Sequence, residues 1–163
     1  MQFPGTHIPK EKAIPKIRHY CAYQERTHQE VKEKLYGFGL RKTEVEEILG
    51  DLIADDYLNE ERFACQFAGG KFRLKKWGRI KITYELKQRQ VSTYNIKTAL
   101  RSISEEDYTA TLARLAQDKW ETLEKEAPLS RFAKTMNYLV QKGYEYPLAK
   151  VATDGCSNGI SSN

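Results

Sequence analysis

Apolar positions along this chain recur at helical spacing and hardly ever alternate. Val31 and Leu35 stand four residues apart, and Val45, Ile48, Leu49 and Leu52 fall on one stripe, the pattern of helices with a single buried face. Alternating runs of Val, Ile and Thr bounded by pairs such as Asn-Gly are missing from the first 150 residues, so strands are not expected. The helices are also punctuated. Thr27 with Glu30 has the form of a capping box ahead of Val31 and Leu35, and Thr43 with Glu46 repeats it on the next stripe. Asn59, Ser92 and Ser104 are further N-cap candidates, while Gly37 and Gly39 supply a stop.

The pattern is written three times. Placing Leu35 on Leu86 and on Leu139 gives intervals of 51 and 53 residues, around the segments EVKEKLYGFGL, KITYELKQRQV and KTMNYLVQKGY. At the first interval Val31 falls on Ile82, Leu40 on Val91, and Val45, Leu49 and Leu52 fall on Ile96, Leu100 and Ile103. The third copy is entered through Pro147 and predicts a shorter closing helix starting with Leu148 and Val151. One more amphipathic helix precedes each pair, around Ile17 to Tyr23, Phe63 to Phe67, and Leu112 to Leu115. The expected fold is therefore all-α, with nine helices in three tandem three-helix repeats forming an elongated, curved helical stack. The boundaries expected are an N-terminal extension over 1–12, repeats over 13–57, 58–103 and 104–153, and a flexible tail over 154–163, where Gly, Ser and Asn predominate. A unit of about 50 residues lies near the lower limit for a self-sufficient core, so each repeat is expected to lean on its neighbours.

Composition narrows the function. A net charge of +5 with 30% charged residues indicates a folded protein with an acidic partner. No apolar run approaches the roughly 20 residues of a membrane span, and MQFPGTHIPK has no apolar signal core; a cytoplasmic monomer without membrane contact is expected. Cys21, Cys65 and Cys156 are odd in number and far apart, and His7, His19 and His28 lack ligand spacing, so neither disulfides nor a metal site is expected. No phosphate loop, nucleophile elbow, zinc-protease signature or dinucleotide fingerprint occurs, so no catalytic residue, enzyme activity or cofactor is assigned. The acid pairs Asp55-Asp56 and Glu60-Glu61 flank a turn and a helix start, where capping accounts for them.

Charge is distributed unevenly. From Arg62 to Gln90 nine cations face Glu85 alone, a local net of +8, whereas Glu30 to Glu61 nets −6 and Ser104 to Glu126 nets −4. The densest part, KFRLKKWGRIKI over 71–82, sits at a helix-helix corner. There Phe72, Leu74, Trp77 and Ile80 are expected to pack inward, leaving Lys71, Arg73, Lys75, Lys76, Arg79 and Lys81 at the rim. Arginine forks bind phosphate or carboxylate in pairs of bonds and lysines act as point charges, so the mixture suits a phosphate backbone or an acidic protein groove. Arg62, and Arg26 beside the first leading helix, extend the candidate surface.

The segment around Leu58-Asn59-Glu60-Glu61-Arg62-Phe63-Ala64, followed by a basic connector and by Gly78, Ile82, Glu85 and Leu86 in a G-x-x-x-I-x-x-E-L pattern, resembles the RecX family of recombinase regulators. RTHQEVKEKL resembles that family's opening repeat, and the likeness runs from about Ala13 to Ala152. Two departures, Asn59 for an aspartate and Gln90 for a glycine, bear on local turn geometry. The resemblance implies three consecutive three-helix repeats. It also implies binding to RecA-type recombinase filaments on single-stranded DNA, with inhibition of their ATPase, strand exchange, co-protease activity and extension, and hence a role in recombination and DNA repair. The alternative is a helical protein acting directly on nucleic acid, with helix 92–102 reading a groove through Asn95, Thr98 and Arg101; Ile96, Leu100 and Ile103 leave it little free face. If the basic run engages six or more phosphates, affinity for DNA measured by anisotropy falls about a thousandfold between 50 and 200 mM salt. A flat salt response identifies a protein surface as the partner instead.

Overall fold

The computed structural model describes residues 7–160. Among them are nine α-helices and no strand: α1 Lys10–Tyr23, α2 His28–Gly37, α3 Lys42–Ala54, α4 Glu60–Gly70, α5 Arg79–Gln88, α6 Thr93–Arg101, α7 Glu105–Thr122, α8 Pro128–Gln141 and α9 Tyr146–Ile160. A π-helical turn, Lys71–Lys75, continues α4. The chain is all-α, as the apolar spacing predicts.

The start signals act as local chemistry requires. Thr27 Oγ1 accepts from the Glu30 N–H at 3.0 Å, Asn59 Oδ1 from Arg62 at 2.9 Å, Ser92 Oγ from Asn95 at 3.2 Å and Ser104 Oγ from Asp107 at 3.3 Å, each satisfying an orphan amide of a first turn. The box expected at Thr43 and Glu46 lies elsewhere. α3 begins at Lys42, and Glu44 reaches back to the Arg41 N–H at 3.2 Å. α1 likewise starts at Lys10, inside the expected extension, and Ile8 donates to Phe38 O at 2.8 Å.

Burial repeats from copy to copy, at 51 and 53 residues in the second and third helices of each copy and at 51 and 48 in the first. Ala13, Ile17 and Cys21 of α1 correspond to Ala64, Ala68 and Phe72, and to Leu112, Ala116 and Trp120 of α7; all nine are buried. Leu35, Leu86 and Leu139 are fully enclosed, and Leu40, Val91 and Tyr144 are buried at the next shared position. The third closing helix differs from expectation. Leu148 is 40% and Val151 71% exposed, while Ala149 and Cys156 take the buried places of Val45 and Leu52. Thr135 and Thr153 are also buried, each hydroxyl donating at 2.8 Å to the carbonyl four residues back, which makes a polar side chain tolerable inside. α9 continues through the stretch expected to be a flexible tail, because Thr153 and Cys156 keep that helix face buried as far as the segment allows.

Two compact units emerge. One joins the residues up to Gln66 with Leu86–Ile96, and the other joins Phe67–Glu85 with the residues from Lys97 onward; the second repeat contributes to both. In the first unit Ile17, Val31, Leu35, Val45, Ile48 and Leu52 form a closed apolar cluster, each large side chain contributing about 1.5–3 kcal/mol by burial. In the second, α7, α8 and α9 surround Tyr108, Met136, Leu139 and Tyr144. Burial pushes the Cys21 and Cys156 thiols above their ordinary value, and Cys65 is half-buried.

One backbone feature recurs at all three central turns. Gly39, Gln90 and Gly143 have φ of +85°, +60° and +99°, the left-handed geometry that ends a helix. In the second unit this turn meets Gly78. The Gly78 N–H donates to Lys142 O at 2.8 Å and the Ile80 N–H to Gly143 O at 2.9 Å. A Cβ on Gly78 would lie 2.3 Å from Gly143 O, and one on Gly143 2.4 Å from Lys81 Cβ. The backbones therefore cross with no room for a side chain on either glycine. Gly78→Ala is expected to destabilise the protein by about 3 kcal/mol or more, lowering Tm by roughly 6–12 °C in a thermal melt. Gln90→Gly relieves a left-handed side-chain-bearing residue and is expected to add about 1 kcal/mol in denaturant titration.

Candidate functional site

The basic run is shaped by how α4 ends. The helix widens into the π turn, Lys76 takes a left-handed conformation at φ +59°, and the Trp77 N–H bonds Lys71 O at 3.3 Å. This exposes carbonyls at a helix C-terminus, where cations are favoured. Lys76 Nζ donates to Arg73 O at 2.8 Å, Lys142 Nζ to Lys75 O at 3.1 Å and Tyr144 Oη to Lys76 O at 2.9 Å. Lys142, absent from the sequence-derived set, thus joins the surface from 67 residues away. The charge of Lys142 was plain in the sequence; its neighbour was not.

Of the four residues expected inward, one is buried. Phe72 is buried and stacks on Tyr108 at 5.9 Å, which packs against Tyr144 at 5.2 Å. Leu74 is 83% exposed and Ile80 is 55% exposed. On a helical path residues two apart point to opposite sides, so once Phe72 and Ile82 face the core Leu74 and Ile80 face outward. Trp77, expected in the core, is half-buried. It meets Phe67 edge-on at 6.5 Å, with the ammonium groups of Lys71 and Lys81 at 5.0 and 4.8 Å from its ring, an arrangement that holds both lysine heads.

The eight sequence-derived cations divide by chemistry. Arg79 is bound internally: its guanidinium pairs with Glu145 at 2.8 Å and Glu105 at 2.5 Å and lies 3.7 Å over the Tyr108 ring. The Arg79 N–H donates to Tyr108 Oη at 3.1 Å, and that hydroxyl donates to Glu145. Burial, followed by the bond to Glu145, pushes the Tyr108 phenol well above its usual value, and burial does the same for Tyr144, so both remain protonated hydrogen-bond donors. Burial works against the Arg79 charge, but its bonds to Glu105 and Glu145 more than restore it. Arg62 and Arg26, in the first unit, are held in the same manner. Arg62 bridges Glu25 at 2.5 Å and Asp56 at 3.2 Å. Arg26 stacks 3.7 Å over Tyr20, donates to the Tyr20 carbonyl and lies 3.7 Å from Glu30.

The other five, Lys71, Arg73, Lys75, Lys76 and Lys81, lie together on the segment 71–81 of the second unit. Among the described residues none of them pairs with a carboxylate. Arg73 folds over its own helix, since a Cβ on Gly69 would touch its guanidinium at 2.7 Å. Of the groove-reading set on α6, Asn95 Nδ2 donates to Glu60 at 2.9 Å and is engaged within the fold. Among the described residues no cluster of His, Cys, Asp and Glu is arranged to hold a metal ion, and no helix is long and apolar enough to cross a membrane. What the surface offers is a set of unneutralised cations mixed with exposed aliphatic groups.

Known proteins give this arrangement a family. The family model described as RecX, second three-helix domain, matches residues 59–100, and RecX, third three-helix domain, matches 105–152; together they cover more than half of the chain. Regulatory protein RecX of Clostridium perfringens (strain 13 / Type A) is 31% identical over 125 residues, 74% of this chain and 57% of that protein. The Leuconostoc mesenteroides protein of the same name is 22% identical over 143 residues, 88% of this chain and 54% of its own. The chain thus spans little more than half the length of these curated relatives. In fold it is similar to RecX from Lactobacillus salivarius, whose crystal structure superposes with a TM-score of 0.85 at 20% identity, covering 91% of this chain and 96% of that one. With both three-helix domains matched in order and the G-x-x-x-I-x-x-E-L glycine seated where no side chain fits, the chain belongs to the RecX family.

Proposed function

We propose that this protein is a non-enzymatic regulator that binds RecA-type recombinase filaments on single-stranded DNA. There it inhibits their ATPase, strand exchange, co-protease activity and extension. The binding surface is the run Lys71, Arg73, Lys75, Lys76 and Lys81, extended by Lys142. The observation that carries this reading is the absence, among the described residues, of carboxylate partners for the five cations of the run beside the outward-facing Leu74 and Ile80. Cations alone suit phosphates; cations interleaved with exposed aliphatic side chains suit a protein surface that also carries negative charge. This favours a nucleoprotein filament over bare duplex, and the engagement of Asn95 within the fold weakens the groove-reading alternative. Because the helical repeat recurs along the chain, weak contacts to successive filament subunits can add through effective concentration.

In this reading Arg26, Arg62 and Arg79 maintain the fold, and Arg73 with the lysines of the run makes the contact. The test is the DNA-dependent ATPase of the cognate recombinase. Wild-type protein is expected to lower the rate, and Lys71→Glu/Lys75→Glu/Lys76→Glu is expected to need about tenfold more protein for the same effect, equivalent to three contacts of roughly 0.5 kcal/mol each, with unchanged circular dichroism. Arg79→Gln should instead lower Tm. An unchanged ATPase rate at saturating wild-type protein refutes the proposal.

A further inference from the structure

The first unit contains a site that neither the repeat pattern nor the basic run accounts for. α1 and α2 flank a groove of about 510 Å³. On α1, Lys16, Tyr20 and Tyr23 form a stripe at helical spacing, and Lys34 and Phe38 face it from α2 and its C-cap. Among the described residues no carboxylate lines it. Tyr20 is already covered, with the Arg26 guanidinium 3.7 Å and the Lys34 ammonium 5.4 Å from its ring. Lys34 also lies 5.8 Å from the Phe38 ring. Tyr23 is different. It is 76% exposed, and among the described residues no cation or second ring stacks on it. Arg26 is committed to Glu30 and to the Tyr20 carbonyl, but Lys16 and Lys34 have no ion pair among the described residues.

The groove therefore combines one bare aromatic face, an apolar floor and two unneutralised ammonium groups. A ligand complementary to all three is flat, aromatic and anionic. We propose that this groove is a stacking site for a nucleotide of single-stranded nucleic acid, the base lying on Tyr23 and the phosphodiester on Lys16 and Lys34. Sequence-tolerant single-strand sites are built from these two parts, a cationic groove and exposed rings. A duplex does not fit, because its paired bases keep their faces stacked. An acidic peptide would satisfy the lysines but leave the Tyr23 face unused. The site needs neither the recombinase nor the 71–81 run.

The test uses the purified full chain and a labelled oligothymidylate of about 15 nucleotides, near the upper span of a single-strand site, read by fluorescence anisotropy. Tyr23→Ala is expected to weaken binding about 5- to 150-fold, the loss of one stacked base, while Tyr23→Phe retains the affinity. Lys16→Ala/Lys34→Ala should reduce the slope of log affinity against log salt by about 1.4. The Tyr23→Ala loss should persist in a Lys75→Glu/Lys76→Glu background, which separates this site from the filament surface. Unchanged affinity of Tyr23→Ala, equal competition by duplex of the same length, or displacement from the groove by polyglutamate but not by oligothymidylate overturns the proposal. None of these outcomes depends on the recombinase ATPase.

Discussion

The backbone crossing of Gly78 with Gly143 is the constraint on which the second unit depends. Hydrogen bonds run from the Gly78 and Ile80 amides to the carbonyls of Lys142 and Gly143, and they form only because neither glycine carries a side chain. Around this crossing the rest follows. Tyr144, next to the clamp, caps the Lys76 carbonyl and packs on Tyr108, and Tyr108 in turn supports Phe72 and the Arg79 amide. The basic run is thus fixed at several points of its backbone while its lysine side chains remain outside. A surface built in this way holds its charges in register without spending them on carboxylates among the described residues.

Most of these arginines have a task separate from that of the lysines. Three of the four arginines that sequence alone grouped with the basic surface are donors to carboxylates, Arg26 also lying on Tyr20 and Arg79 on Tyr108, both at 3.7 Å, and Arg62 bridging Glu25 and Asp56, whereas Arg73 stays with the lysines. A planar guanidinium can pair, stack and bond a carbonyl together, and an ammonium group cannot. Local charge counting treats the two types alike, which is why a net of +8 over Arg62 to Gln90 overstates what is available to a partner.

The repeat also shows how a helical module can diverge and keep its geometry. Val31, Val45 and Leu52 in the first copy are matched by Ile82, Ile96 and Ile103, and then by Thr135, Ala149 and Cys156. The third copy replaces aliphatic volume with Tyr108, Tyr144 and Trp120 from elsewhere in its core. The left-handed turn survives with Gly, Gln and Gly, at a strain cost of about 1–2 kcal/mol for the glutamine. Volume at single positions is exchangeable because the core has to be filled, while a tight turn constrains each residue by itself.

Several features were legible in the sequence because they depend on neighbours close along the chain. The helical period, the caps at Thr27, Asn59, Ser92 and Ser104, the intervals of 51 and 53 residues and the excess of cations over 71–81 are of this kind. Other features depended on partners 30 to 70 residues away or on which face a helix turned inward. Arg79 meets Glu145 across 66 residues and Lys142 meets Lys75 across 67, while Leu74 and Ile80 turn outward because Phe72 and Ile82 occupy the core. Apolar periodicity identifies the buried stripe of a helix but cannot say which charged neighbour folding will bring to its rim. The sequence by itself determined the helices, their repetition and their sign of charge; the tertiary structure alone decided which of those charges were consumed within the fold and which were not, because ion pairing is a matter of distance in space.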